Sequence, residues 1–572
     1  MIQDFNIEKM QTKTVFPTLK VNSFFLHSKY NPKKEAEQFA SSQYTENHVH
    51  ILFGLGLGYF ADALKDKLTK NDGLIIIDPL FKEIESLTNR GDYNVISAVT
   101  EKNIETALNN LLNDYNVNVK LICSPNYDKL FPNEYKVVLK TVKDVLSMNT
   151  VFFNTVNFFA EIWQENYIRN LFYVFEDDSL TKLENSYNLP VVIASGGPSL
   201  TKQIPLLKKV RDKILLIAAG STVTTLLHYD IEADYIVSVD GSIANYNHFK
   251  DSTFKKSKLI YSIRNHYKIR EQFKGPAFSF IPVFEPGVYE HIKKMTKKNL
   301  PTLLGGASVA NYTLTIAQYI SNGPIALIGQ DLSYTDNKTH AEHNKYFSNV
   351  NDQFKEERRT FFTEGYDGNE VLTDTVFLSM KKGFEQIAEV SEEVKRFFNC
   401  TEGGVRIKGF NQKTFQEFCD DIEPMEAKNE NNDLMSSIID LVSWRELHER
   451  IQAEIKDYEE ITLQLNKGLR HLKENPSKNK FSQKAIIGLN QVDKKLKQLF
   501  EKVSMNSIVE PITMDVLERF LPKKGENIEG EYKRVFEQNQ TLYDRLLNAT
   551  NLSRQYTENL LDQIKKTKLG DE

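Results

Sequence analysis

The chain is poor in cysteine and has no long apolar run. Of its 572 residues only Cys123, Cys400 and Cys419 are cysteines, an odd number without the spacing of metal ligands. A disulfide framework is therefore not expected, and the thiols are predicted to be reduced. The amino-terminal MIQDFNIEKM lacks the apolar core of a signal peptide. No apolar segment approaches the roughly 20 residues of a membrane helix. We expect a cytoplasmic protein without a membrane span.

The chain also lacks a strong excess of charge of one sign. Its 72 basic and 77 acidic residues give a formal net charge of −5, which does not favour a nucleic-acid partner. Hydrophobic residues make up 40% of the chain, enough for sizeable cores. At about 150 residues per domain, this length predicts a globular protein of several domains.

The first glycine-rich turn lies within residues 1–150. An apolar strand runs into the turn GLGLG at 54–58, and a helical segment and the strand 74–77 follow it. This order predicts a Rossmann-like domain over 1–150, with Asp78 at the tip of its second strand. Asp78 could bind the ribose diol of a nucleotide or of S-adenosylmethionine. The turn could equally be a tight connection that holds no ligand.

Two regions are predicted to be helical. Between residues 150 and 178, aromatic side chains recur at three- and four-residue spacing, which predicts a connecting helix in 151–185. After residue 424 the strand pattern is lost, and apolar residues from Val492 to Val503 step by four, three and four. Residues 425–572 are therefore predicted to form a helical domain, either a plain bundle or a docking surface. Its helices are expected to break at Pro476, Pro511 and Pro522.

The second glycine-rich turn opens a region, 186–424, in which strands and helices alternate again. It follows the apolar strand 191–194 and reads SGGPS. Small residues let backbone N–H groups approach a ligand closely, and a proline suits the first turn of a helix. The amides around Gly196, Gly197 and Ser199 and the helix dipole would then face one point, which favours an anion.

Three further strands of this region end in small or acidic residues. These ends lie at Gly220, Ser221 and Thr222, at Asp240, and at 329–331. Ligands of open α/β sheets bind at the carboxyl ends of the strands. Together with the turn after residue 194, these ends predict one cleft.

Five segments of the region carry a family resemblance. In chain order they are VVIASGGPSL, LIAAGSTVTTLL, ADYIVSVDG, ALIGQDLSYTDNKTHA and CTEGGVRIKG. Together they resemble the central domain of the motility-associated factor (Maf) family of bacterial flagellin glycosyltransferases. The GGPSL segment is also similar to the donor loop of bacterial sialyltransferases that use CMP-sialic acid. The resemblance implies a central doubly wound, sialyltransferase-like domain of a GT-A-like variant, and it is strongest over 150–424.

The resemblance also implies an activity. Members of the family transfer a nonulosonic acid, such as pseudaminic or legionaminic acid, from its CMP conjugate to Ser or Thr hydroxyls of flagellin, which flagellum assembly and motility require. The expected partners are therefore flagellin and a CMP-nonulosonic acid. No obligatory cofactor is expected beyond this donor, and a metal requirement is left open.

Roles for single residues follow from the same resemblance. Gly196, Gly197 and Ser199 would stabilise the departing phosphate, and Tyr334 would assist them. The cytidine or its ribose would lie at Gly220, Ser221 and Thr222, with Asp240 as a diol contact. The remaining predicted nucleotide or sugar contacts are Gly329, Thr401, Glu402, Gly403 and Gly404. Sialyltransferases place an asparagine between the glycines of the first loop where this chain has SGG, so one nucleotide contact is expected to be lost or moved.

The serine or threonine hydroxyl of an acceptor must lose a proton as it attacks. Asp331, His340 and His343 are the candidate bases, because all three follow the last strand of the predicted cleft. The two histidines could also suggest a metal, but the segment THAEH lacks the HExxH pattern, and no metal site is predicted.

Three other functions remain open. Archaeal pterin diphosphokinases resemble the same central domain. The first glycine-rich turn could belong to a methyltransferase that uses S-adenosylmethionine, although no matching substrate motif is evident. A flagellin-binding scaffold with a vestigial cleft is the alternative without catalysis.

Overall fold

The computed structural model describes residues 5–570 except 71, 89–92, 115–117, 283–285, 307, 423–438, 478 and 523–524. The predicted boundary between the central and C-terminal domains, at 424/425, lies outside the described residues. The chain forms two compact units. One consists of Met1–Phe158 and Thr513–Gln538, and the other of Phe159–Ile512 and Asn539–Glu572.

The first unit is built on a parallel sheet that follows a small antiparallel one. Its elements are β1 (Ile7–Met10), β2 (Thr18–Val21), β3 (Phe24–Phe25), α1 (Pro32–Gln43), β4 (His48–Phe53), α2 (Tyr59–Lys65), β5 (Gly73–Ile77), α3 (Phe81–Ile84), β6 (Val95–Ile96), α4 (Glu101–Asp114), β7 (Asn118–Cys123) and α5 (Tyr127–Leu130). The parallel sheet has the strand order β6-β5-β4-β7. This is the predicted Rossmann-like arrangement, with the turn GLGLG between β4 and α2.

One long helix, α6 (Pro132–Glu176), takes the place of the connecting helix predicted in 151–185. Pro132 occupies the first turn, where a missing N–H costs nothing, and neither glycine nor proline follows it up to Glu176. The predicted connecting helix therefore begins 19 residues earlier than expected, because nothing in the sequence interrupts it. In the second unit its buried amides Asn166 and Asn170 donate to backbone carbonyls of Gly241, Ile263 and Asn265.

The elements from β8 to α15 belong to the second unit. They are β8 (Asp178–Ser179), β9 (Val191–Ala194), α7 (Leu200–Lys209), β10 (Leu215–Ala219), α8 (Thr222–His228), β11 (Tyr235–Ser238), α9 (Ile243–Phe249), β12 (Lys258–Ser262), α10 (Tyr267–Gln272), β13 (Ala277–Pro282), α11 (Pro286–Thr296), β14 (Thr302–Leu303), α12 (Val309–Ile320), β15 (Ile325–Ile328), α13 (Asp352–Arg358), β16 (Phe361–Glu364), β17 (Glu370–Thr373), α14 (Thr375–Val390), β18 (Phe397–Asn399), β19 (Asn411–Gln412) and α15 (Phe415–Ile422).

These strands form one parallel sheet and a separate antiparallel hairpin. The parallel sheet has the order β14-β13-β12-β11-β10-β9-β15-β18-β19, and β8 pairs with β13. From β9 the chain proceeds outward on one side to β14, and it then returns to place β15 on the other side of β9. The order of the strands therefore reverses between β9 and β15, as in doubly wound folds. The hairpin consists of β16 and β17.

Two hydrophobic cores cover the two faces of the central sheet. Along β9, Val192 and Ala194 belong to one core and Val191 and Ile193 to the other. This alternation is the period of two that a strand imposes, and it explains why all four residues are apolar. A parallel sheet covered on both faces leaves its strand ends as the places where polar groups can gather.

The chain after residue 438 is helical, as predicted. It contains α16 (Leu441–Lys473), α17 (Gln483–Phe500), α18 (Asn506–Arg519) and α19 (Ile528–Ile564). Trp444 at the start of α16 packs against Phe172 and Phe175 of α6, with ring centroids 5.1 and 4.7 Å apart. Among the described residues, no helix is both long and apolar enough to span a membrane.

The predicted helix breaks are confirmed at two of three prolines. Pro476 and Pro522 lie between helices, but Pro511 lies inside α18, so the break expected there was wrong. Pro511 comes directly before the place where the chain passes from the second unit to the first, at Ile512 and Thr513. The α/β fold class, with a parallel sheet in each unit and a helical C-terminal region, is confirmed.

Candidate functional site

The site lies where the strand order of the central sheet reverses. The turn after β9 and the residues after β15 meet there at the carboxyl ends of their strands, as predicted. The N–H of Gly197 donates to the carbonyl oxygen of Gly329 at 2.8 Å. The Ser195 hydroxyl donates to Gln330 Oε1 at 2.5 Å. Gly329 has φ +62°, and a side chain there would place its Cβ 2.2 Å from the Ser195 carbonyl oxygen. The two turns are therefore joined into one rigid floor.

The side chain of Asp331 binds the residue that precedes α7, Ser199. Its carboxylate accepts from the Ser199 hydroxyl at 2.7 Å and from the Ser199 N–H at 3.3 Å. Only 1% of Asp331 is exposed, and burial raises its pKa, although hydrogen bonds from Thr335 and Ser199 oppose that rise. The helix end that the sequence suggested for a phosphate thus already binds a carboxyl group of the chain itself. The assignments of Ser199 to donor phosphate and of Asp331 to proton transfer stay predictions.

Polar side-chain groups surround the place that a side chain at Gly196 would take. A side chain at Gly196 would place its Cβ 3.2 Å from Ser221 Oγ, 3.4 Å from Thr222 Oγ1 and 3.2 Å from Asn344 Nδ2. All three groups can donate a hydrogen bond, so they favour a ligand rich in oxygen acceptors. We call these four residues the Gly196 cradle. Gly220, with φ +52°, turns the chain so that Ser221 and Thr222 enter it.

Asn344 was not anticipated from the sequence. Its side chain is 5% exposed, and its Nδ2 donates to the Ser221 carbonyl oxygen at 3.2 Å across a separation of 123 residues. It belongs to a segment, 338–350, that we call the strap. A backbone bridge joins Lys338 and Asn349 at the ends of the strap, and the Ala341 N–H donates to the Gly196 carbonyl oxygen at 3.0 Å. The neighbouring histidines were the only sequence signal near Asn344.

The two predicted histidine bases lie in different surroundings within the strap. Burial lowers the pKa of His340, whose ring also bonds the backbone of Tyr346. The Nδ1 atom of His340 is buried and has no hydrogen-bond partner among the described residues. His343 is exposed, and its ring stacks on His228 at the end of α8, with centroids 3.7 Å apart. Asp331, His340 and His343 thus have different partners, and their roles as bases stay predictions.

Tyr334 is part of the packing below the site. It is 5% exposed, and its hydroxyl donates to Asp374 Oδ2 at 2.7 Å. Its ring lies 5.2 Å from those of both Phe354 and Phe377. Burial and the Asp374 carboxylate raise the pKa of this hydroxyl. To assist a departing phosphate, as predicted, Tyr334 would have to give up its bond to Asp374.

The turn 401–404 supports the floor of the site. Gln203 bridges the turn and Gly329: its Nε2 donates to the Thr401 carbonyl oxygen at 3.3 Å, and its Oε1 accepts from the Gly329 N–H at 3.0 Å. A Cβ at Gly404 would lie 2.0 Å from the Asp331 carbonyl oxygen, and one at Gly403 would lie 3.8 Å from Asp331 Oδ1.

Glu402 and Asp240 have local partners. Glu402, with φ +56°, accepts the Phe415 N–H at 3.0 Å and so caps α15. Asp240 is exposed at the end of β11, and its carboxylate accepts the N–H and hydroxyl of Ser242 at 2.8 and 2.9 Å. Their predicted ligand contacts stay predictions. Within the described ranges, no three His, Cys, Asp or Glu side chains gather as metal ligands.

The first glycine-rich turn is filled by side chains of its own unit. Asp78 is fully buried and accepts from the N–H groups of Leu55, Gly56 and Leu80 at 2.7, 3.2 and 2.7 Å, and from the Tyr127 hydroxyl at 2.8 Å. A Cβ at Gly54 would lie 2.3 Å from the Tyr127 ring, and one at Gly56 would lie 2.5 Å from His27 Nε2. Of the two interpretations left open above, the tight turn without a ligand fits this geometry.

The region of the site matches a known protein family, and the whole chain is similar to a solved structure. A family model for 6-hydroxymethylpterin diphosphokinase MptE-like proteins matches residues 165–337, which include both joined turns and end just before the strap. Among solved structures, the MAf glycosyltransferase from Magnetospirillum magneticum AMB-1 superposes with a TM-score of 0.58 at 15% sequence identity. The match covers 100% of this chain and 96% of that one.

The chain has the fold of this MAf glycosyltransferase. The likeness extends over all regions, including the amino-terminal and helical ones where the sequence resemblance was weak, and the resemblance to the Maf family is confirmed at the level of fold. A search of curated protein sequences found no match.

Proposed function

We propose that the second unit is a glycosyltransferase that moves a nonulosonic acid from its CMP conjugate to serine or threonine hydroxyls of flagellin. The observation that carries the proposal is the Gly196 cradle, a polar position at the strand-order reversal of a chain with the fold of a MAf glycosyltransferase. The donor class and the acceptor rest on the five sequence segments described above.

The cradle suits the phosphate of a CMP-sugar. Cleavage of the bond between the anomeric carbon and the phosphate leaves negative charge on CMP. Hydroxyl and amide donors fixed before the reaction stabilise such charge without having to reorganise. Ser221, Thr222 and Asn344 offer three such donors around Gly196. Asp331 supports them indirectly, because it holds Ser199 and so fixes the turn that carries Gly196.

His340 is the best suited of the three candidate bases. Its lowered pKa keeps the imidazole neutral near pH 7. Since Nδ1 is buried without a described partner, we infer that the bond to the Tyr346 backbone uses Nε2, and that the acceptor hydroxyl reaches the Nδ1 lone pair only after it displaces the side chains that cover it. In this proposal His340 takes the proton of the acceptor hydroxyl as that oxygen attacks the anomeric carbon.

The test is a transfer assay with purified flagellin and CMP-activated pseudaminic or legionaminic acid, in which the mass of flagellin is measured. The wild-type chain should add the sugar mass, and His340→Asn should lower the rate at least 100-fold while CMP still binds. As a control, His448→Asn removes a half-buried histidine of α16 and should leave the rate within a factor of three. Transfer by His340→Asn at the wild-type rate would overturn the assignment of the base.

The MptE-like match favours a second candidate, a pterin diphosphokinase. That reaction would need ATP and 6-hydroxymethylpterin in the same cleft. Diphosphate transfer to the pterin by the wild-type chain, together with no sugar transfer to flagellin, would replace the first proposal. If CMP binds and flagellin is captured but neither reaction occurs, the scaffold alternative is supported.

A further inference from the structure

One unusual backbone turn, at His343, directs the path of the strap next to the cradle. His343 adopts φ +63°, a left-handed conformation that costs a residue with a side chain of order 1 kcal/mol. The Asn344 N–H donates back to the Ala341 carbonyl oxygen at 3.2 Å, so the turn at His343 sets the direction in which Asn344 leaves. That direction brings the Asn344 amide into the Gly196 cradle.

The ring of His343 makes a contact that can offset this cost. It lies nearly parallel to the His228 ring, with an interplanar angle of 17° and centroids 3.7 Å apart, and edge-on to Tyr229 at 5.7 Å. His228 is the last residue of α8, the helix that begins at Thr222 of the cradle. The same helix therefore supplies a cradle hydroxyl at one end and the partner of the strap at the other.

Other strap contacts hold neighbouring points but do not fix this turn. The Glu342 N–H donates to Thr201 Oγ1 at 3.0 Å, and Lys345 Nζ donates to the Asn247 carbonyl oxygen at 3.0 Å. Both residues are exposed, and neither bond determines the backbone conformation of His343 between them. The stacked ring is the contact that acts on the left-handed residue itself.

We propose that His228 is a positioning residue: by stacking on His343 it holds the strap in the conformation that places Asn344 in the cradle. The proposal rests on the proposed function only in its second readout, nucleotide affinity. The first readout, the protection of strap amides, is independent of any ligand.

The experiment uses the full chain and two pairs of variants. His228→Ala removes the stack, whereas His228→Phe keeps a flat ring at the same place. His343→Ala removes the ring and leaves the strained turn, whereas His343→Gly removes the ring and makes the left-handed conformation free of strain. Hydrogen exchange is measured on peptides that cover 338–350, and affinity for CMP is measured by calorimetry.

Stacked aromatic pairs contribute about 0.5–1.5 kcal/mol, which corresponds to a two- to tenfold change. We expect His228→Ala to speed exchange of the Ala341 amide and to weaken CMP binding by that factor, and His228→Phe to restore both. The faster exchange and the weaker CMP binding should both be more pronounced in His343→Ala than in His343→Gly. Exchange from peptides of β10 should stay at the wild-type rate in all four variants.

The outcomes separate the two proposals. Strap exchange in His228→Ala at the wild-type rate, or as fast in His228→Phe as in His228→Ala, would overturn the positioning role. If the wild-type chain does not bind CMP but strap exchange still follows the pattern above, the positioning role stands and the CMP-sugar proposal fails.

Discussion

Gly56 in the first unit and Gly196 in the second both follow a buried strand of a parallel sheet. At Gly56 the place of a side chain is taken by His27, whose Nε2 would lie 2.5 Å from a Cβ, and Asp78 binds the surrounding amides. At Gly196 the nearest groups are polar side-chain ends at 3.2 Å or beyond. A glycine-rich turn therefore indicates that another group comes close to its backbone, and that group can be a side chain of the protein and not a ligand.

An acidic residue binds the turn in both units, but with different consequences. Asp78 accepts hydrogen bonds from N–H groups of the first turn and from the Tyr127 hydroxyl. The Tyr127 ring and His27 lie against the glycines of the same turn, so side chains of the protein occupy the space around it. Asp331 accepts hydrogen bonds from Ser199 at the start of α7 and from Thr335, and its carboxylate lies beside Gly197. The second turn thus combines a fixed floor with a position next to Gly196 that is bordered by the polar ends of side chains, whereas a ring and an imidazole fill the first turn.

The largest effect is expected at Asp78. Asp78→Ala leaves the N–H groups of Leu55 and Leu80 and the Tyr127 hydroxyl buried without their acceptor, and each such group costs about 1–3 kcal/mol. We expect the free energy of unfolding to fall by roughly 3–5 kcal/mol in urea denaturation. The exposed Asp128→Ala should change it by less than about 0.5 kcal/mol. If the wild-type chain bound S-adenosylmethionine and Asp78→Asn abolished that binding, the first turn would be a site after all.

The two adjacent glycines of the second turn should respond differently. A Cβ at Gly197 would lie 2.2 Å from Asp331 Oδ2 and 2.5 Å from the Gly329 carbonyl oxygen, so Gly197→Ala should cost about 1–3 kcal/mol of stability. Gly196→Ala meets only movable side-chain ends, and it should leave stability within about 1 kcal/mol while weakening CMP binding. Thermal unfolding and calorimetry measure the two effects. Equal losses of stability would remove the distinction between floor and cradle.

Asn344 should contribute to CMP affinity in addition to the two hydrogen bonds by which its side chain holds the strap. Asn344→Asp keeps the shape but replaces a donor with a negative charge, which should weaken CMP binding about tenfold, or about 1.4 kcal/mol. The control Asn322→Asp adds the same charge at an exposed position before β15, at the opposite edge of the sheet. It should bind CMP as the wild type does. A tenfold loss in both variants would point to overall charge and not to the cradle.

The smallest effect is a dependence of stability on pH in the first unit. Burial lowers the pKa of His27 to about 3, whereas in the unfolded chain it titrates near 6.5. Acid therefore protonates the unfolded state first, and stability is lost as pH falls below 6.5. Between pH 7.5 and 5.5 the wild type should lose about 1.3 kcal/mol more than His27→Gln, which cannot titrate. Parallel pH profiles of the two proteins in urea denaturation would contradict the burial of a neutral His27.

Local pattern was sufficient for much of the fold and for three of the four residues that form the Gly196 cradle. The apolar run Val191–Ala194 and the small residues after it predicted a buried strand and a close turn, and the four strand ends were correctly assigned to one edge of one sheet. These features depend on short-range chemistry: strand period, glycine conformation and helix starts.

Contacts between distant parts of the chain could not be predicted in this way. Asn344 reaches Ser221, and His343 reaches His228, through a strap whose path no local pattern specifies. The sequence placed a phosphate at Ser199 but gave no sign that Asp331, 132 residues away along the chain, binds Ser199 there. The aromatic spacing that predicted a helix occurs only in the second half of α6, so it gave no indication of where the helix begins.

The most direct test of the central claim is a calorimetric titration of the full chain with CMP, carried out on the wild type, Gly196→Val and Tyr127→Phe. The account predicts that the wild type binds one CMP, that Gly196→Val binds none because its side chain fills the cradle, and that Tyr127→Phe in the first turn binds as the wild type does. CMP binding that survives Gly196→Val, or that is lost in Tyr127→Phe, would contradict it.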